Sequence, residues 1–106
     1  MKTIFSAVAL LCLASSVNAQ TSNVTCADVE ELAVEIMQKR QVNYDIMLLI
    51  NTTNEELFDR PALLNILQPM IDRAYSEVPA SNADAREQQV EKFKKFWAQQ
   101  CEENNA

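Results

Sequence analysis

The chain has no histidine and no glycine, and only three cysteines and three prolines in 106 residues. Without histidine, the commonest general base and zinc ligand is missing, and serine or threonine nucleophiles lose their usual activator. Without glycine, neither a Walker loop nor a dinucleotide fingerprint can form. A calcium loop would lack its central turn residue, and glycine-dependent hairpins become scarce, which argues against an all-β fold. Long apolar runs are also wanting: one stands at the front of the chain, and no second follows.

That first run has the form of an export leader. Lys2 supplies a positive start, residues 4–13 are apolar but for Ser6, and Val17-Asn18-Ala19 ends in the small-x-small pattern that a signal peptidase cuts. It falls short of the roughly 20 apolar residues a membrane span needs. We expect residues 1–19 to be a cleaved signal peptide and residues 20–106 to form a single helical domain, periplasmic or secreted, with no stable membrane insertion. Cys12 leaves with the leader. Leu11 stands before it where a lipoprotein anchor has a small residue.

What remains is acidic. Loss of Lys2 leaves eight basic residues against fifteen acidic ones, a net charge near −7. Such a surface is repelled by nucleic acid and by anionic membranes. Two cysteines are left, Cys26 and Cys101, and in an oxidising compartment they are expected to pair. They do not form a C-x-x-C redox motif, so the bond is read as structural. A domain of 87 residues is small enough to profit from such a staple.

The apolar periodicity is helical. Thr25 stands before Cys26-Ala27-Asp28 like the start of a capping box. Cys26, Val29, Leu32, Ala33, Ile36 and Met37 then recur at helical spacing, and Lys39-Arg40 close the segment as the helix dipole favours. Asn43 is the expected N-cap of a short second helix through Ile50. Its residues 46–50 are apolar all round, as in a helix packed between others. Residues 51–54 (Asn-Thr-Thr-Asn) are expected to break the pattern, with a helical turn over 55–60.

Pro61 suits the first position of a third helix, in which Pro69 predicts a kink near residues 65–68. Ser81 or Asn82 can start a last helix whose stripe is Val90, Phe93, Trp97 and Cys101, with Lys92 and Lys95 outside it. Residues 102–106 are expected to fray. The fold class expected is all-α, a small four-helix arrangement in which one disulfide joins the first and last helices.

The residues Cys26, Glu31-Leu32-Ala33, Ile36-Met37, Arg40-Gln41, Ala74-Tyr75, Pro79, Phe93 and Cys101 together resemble a family of uncharacterised small exported helical proteins from proteobacteria and their phages. The pattern spans most of the mature chain. The family often carries a glycine after the Arg-Gln pair, where this chain has Val42. The resemblance implies a bacterial envelope or secreted setting and brings no activity. In a eukaryotic setting, Asn23-Val24-Thr25 and Asn51-Thr52-Thr53 would instead be glycosylation sequons.

Chemistry is thinly represented. Asp28, Glu31 and Glu35 lie a helical turn apart and could hold a hard cation or divide acid and base roles. The same spacing describes an ordinary solvated face, as it does for Asp84, Glu87 and Glu91. Lys92, Lys94 and Lys95 occupy exposed helical positions, which disfavours a Ser-Lys dyad. No catalytic, cofactor or metal residues are assigned.

The expectation is a non-catalytic protein that binds another envelope or secreted protein, as an inhibitor, immunity factor or adaptor. Arg40, Gln41 and Tyr75 at helix ends, with Met47 and Ile50 on the apolar second helix, are its candidate interaction residues. A homodimer stays open, since a second copy could cover that helix. The alternative is an acid-activated periplasmic chaperone: protonating fifteen carboxylates would carry the net charge from near −7 to near +8 and loosen the fold.

Overall fold

The computed structural model describes residues 24–105. The expected leader and cleavage site lie outside the described residues. Four helices follow one another: α1 (Cys26–Gln41), α2 (Ile46–Glu56), α3 (Pro61–Tyr75) and α4 (Ala83–Asn105). They run alternately up and down, so α1 ends, α2 begins, α3 ends and α4 begins at one pole. At the other, the Cys26–Cys101 disulfide joins the start of α1 to the end of α4.

The start of α1 is a full capping box. Thr25 Oγ1 accepts from the Asp28 N–H at 3.1 Å, and Asp28 Oδ2 accepts from the Thr25 N–H at 3.0 Å. Its end is closed by Asn43, at φ 57°, a left-handed conformation that asparagine tolerates better than most residues. The Asn43 N–H reaches the Arg40 carbonyl and the Tyr44 N–H reaches that of Lys39, the paired bonds of a Schellman ending. Val42 keeps a negative φ, so this turn needs no glycine at that position.

Asn43 is therefore not the cap of the second helix. Asp45 is, its Oδ1 accepting from the Met47 and Leu48 N–H groups at 2.9 and 3.0 Å. Nor do residues 51–54 break that helix, which continues to Glu56. Their polar groups are satisfied inside it: Thr52 and Asn54 donate to the Leu48 and Ile50 carbonyls, and buried Thr53 donates to Leu49. The expected turn over 55–60 shrinks to residues 57–59.

Helix α3 starts on Pro61 as expected and runs unbroken through Pro69. Pro69 removes the bond to the Asn65 carbonyl, but both residues are exposed and water can replace it. Asn82 caps α4 by accepting from the Ala85 N–H at 2.8 Å. That helix extends to Asn105, past the point where fraying was expected.

One core joins the elements. Ile36 and Met37 of α1, Met70 and Ile71 of α3, and Leu49 of α2 are fully or almost fully buried, and Phe93 closes the core from α4. Packing is broadest between α1 and α4; α3 lies against α1, and α2 chiefly against α3. The second helix is thus covered on one side only. Leu49 is buried, Ile46 and Ile50 are half-buried, and Met47 and Leu48 face outward.

Candidate functional site

The pole opposite the disulfide gathers Arg40, Gln41 and Tyr75 into one hydrogen-bonded clasp. Arg40 Nε donates to the Glu77 carbonyl at 2.8 Å and its guanidinium lies 4.9 Å from the Tyr75 ring centroid. The Tyr75 hydroxyl donates to the Tyr44 carbonyl at 2.6 Å. Burial raises the Tyr75 phenol above its ordinary pKa against the opposing charge of Arg40, so the hydroxyl stays protonated and donating at neutral pH. Gln41, buried, donates to Gln89 Oε1 at 2.8 Å and also contacts the Met37 sulfur at 3.3 Å.

Gln89 is the hub of this clasp. Its Oε1 also accepts from the Ala80 N–H at 3.0 Å, and its Nε2 donates to Glu77 Oε1 and the Val78 carbonyl, both at 3.0 Å. Arg86 adds a bond to the Ala80 carbonyl at 3.1 Å. The connection between α3 and α4 is thereby fixed from two helices, α1 and α4. In sequence, Gln89 looks like any surface glutamine of an acidic helix, and nothing in its neighbours signals the role.

Exposed aliphatic side chains surround the clasp. Val42 is 71%, Met47 61% and Val78 80% exposed. An open cavity of about 500 Å³ lies beside Val42, between the end of α1 and the first turns of α4, with Gln41, Arg86 and Val90 in its wall. Arg40, Gln41, Tyr75 and Met47 therefore share one pole. Ile50 stands further along α2, half-buried against the core.

The carboxylates are dispersed by comparison. Asp28 is committed to its capping box and to Arg60, 2.9 Å away. The Thr25 N–H, opposed by partial burial and aided by the Thr25 side chain and Arg60, holds its carboxyl below the ordinary value. Glu31 and Glu35 line a shallow groove with Lys94, and Glu91 pairs with Lys94 at 3.2 Å. Asp84 and Glu87 line the rim of the cavity beside Val42. No cluster of three or more potential metal ligands occurs among the described residues. No helix among them is long and apolar enough to cross a membrane. No family model, curated protein or solved structure matches the chain.

Proposed function

We propose that the protein is exported, non-catalytic, and binds another envelope or secreted protein through the clasp pole. The observation that carries this reading is the set of exposed aliphatic side chains, Val42, Met47 and Val78, around a hydrogen-bonded frame. Apolar side chains on a rigid support are what a protein interface uses as anchors. The disulfide between Cys26 and Cys101 suits an oxidising compartment, in keeping with the leader-like residues 1–19.

Affinity capture from an envelope extract, with the oxidised mature chain and a V42E/M47E/V78E variant in parallel, tests the proposal. One stoichiometric partner retained by the first and lost by the second is the expected result. Equal retention by both, or no retained partner, overturns it. Circular dichroism of the variant guards against misfolding, and all three sites are exposed enough for it to fold.

An acid-activated chaperone is a second reading, supported by the ion pair of Asp28, a carboxylate, with Arg60 between α1 and the start of α3. Suppression of client aggregation at pH 2–3, absent at pH 7, is its test. Unchanged aggregation at low pH rules it out.

A further inference from the structure

The disulfide and the packing divide the four helices unequally. Helices α1 and α4 are joined by Cys26–Cys101 at one pole, by Gln41–Gln89 near the other, and by the broadest packing in the fold. The α2–α3 hairpin has both of its chain connections, residues 42–45 and 76–82, at the clasp pole. At that end the Glu77 carbonyl accepts from Arg40, and further along the bundle Arg73, in the last turn of α3, lies 3.8 Å from the ring centroid of Phe96, midway along α4 between Gln89 and Cys101.

The free tip of the hairpin, residues 57–60, is held differently. Among the described residues its one polar tie to the rest of the fold is Arg60 on Asp28 at 2.9 Å, at a partly exposed edge. Beside this tie, a surface cleft of about 220 Å³ is lined by Ala62 and Ile66 of α3 and by Val29, Trp97 and Cys101. Trp97, which lines it, has a buried indole N–H with no hydrogen-bond partner among the described residues.

We propose that the α2–α3 hairpin is a flap, hinged at the clasp pole and latched by Arg60 on Asp28. It opens as a unit from a persisting α1–α4 pair and uncovers the buried faces carrying Met37 and Met70. Local opening of this kind follows the boundaries of supersecondary units. The disulfide sets the boundary here, because it restrains α1 and α4 but neither helix of the flap.

Native-state hydrogen exchange on the oxidised mature chain, with R60Q alongside, tests the proposal. Core amides of α2 and α3 are expected to exchange faster than those of α1 and α4. R60Q is expected to raise the α2 and α3 rates about 1.5- to five-fold, the range of one partly exposed ion pair, and to leave α1 and α4 unchanged. A common rate for all four helices overturns the flap. An R60Q effect that is absent, or shared equally by all four, overturns the latch. Arg60 is partly exposed, so the variant is expected to fold.

Discussion

Gln41 and Gln89, 48 residues apart, hydrogen-bond to each other at 2.8 Å and both offer Oε1 to the Ala80 N–H, at 3.2 and 3.0 Å. Two glutamines on different helices thus hold one backbone amide of the connection between α3 and α4. The arrangement ties α1 to α4 at the end remote from the disulfide, and it shapes the loop that presents Val78.

Truncating either glutamine should expose how far they act together. Q89A removes four hydrogen bonds but leaves the Ala80 N–H its bond to Gln41. It is expected to cost about 1–2 kcal/mol in urea denaturation. Q41A should cost a similar amount, and the double variant less than the sum by about 0.5 kcal/mol or more. Strict additivity would show that the two side chains do not work as a unit.

Loss of the disulfide should be felt more. The bond closes a sequence separation of 75 residues, for which the chain-entropy account gives roughly 4–5 kcal/mol. C26S/C101S is expected to lower the stability by about that amount. For a domain of this size such a loss is a large part of the total. A change below about 1 kcal/mol would mean that the unfolded chain keeps its ends close without the bond, so that the bond removes little entropy from it.

The elements that were legible in the sequence are those whose signals are local. Thr25 with Asp28, Pro61 at its helix start and the Val90–Phe93–Trp97 spacing each declare themselves within a turn or two. The first half of the second helix was legible too, but its second half was not, because Thr52, Thr53 and Asn54 are turn-prone by propensity. They remain helical by returning hydrogen bonds to carbonyls four residues back, with Thr53 itself buried. The clasp was legible only as Arg40, Gln41 and Tyr75. Gln89, Glu77 and Ala80 join it through long-range contacts that leave no periodicity or composition mark.

Acid should weaken the start of α1. Asp28 titrates below its ordinary 3.8 because the folded chain favours its charged form, first through the Thr25 N–H. A lowered folded pKa contributes stability that is present above the unfolded value and lost as pH falls through it toward the folded one. Stability is therefore expected to drop below about pH 4, and D28N should flatten that part of the profile. The check is a set of urea midpoints from pH 7 to pH 2 for both proteins. Parallel profiles would remove Asp28 from the acid response.

Glu35 should act with the opposite sign. Desolvation by its neighbours, although the side chain stays exposed, and then the nearby charge of Glu56 raise its pKa above the ordinary 4.5, while Lys39 partly offsets them. The folded chain thus disfavours the carboxylate, and the penalty is present at neutral pH and relieved as pH falls through the raised folded value. E35Q should stabilise the protein at pH 7 and make no difference near pH 3, where the native carboxyl is already protonated. The glutamine keeps the side chain's shape, so a gain confined to neutral pH can come only from the removed charge. A gain that persists at pH 3 would point instead to a new hydrogen bond of the amide.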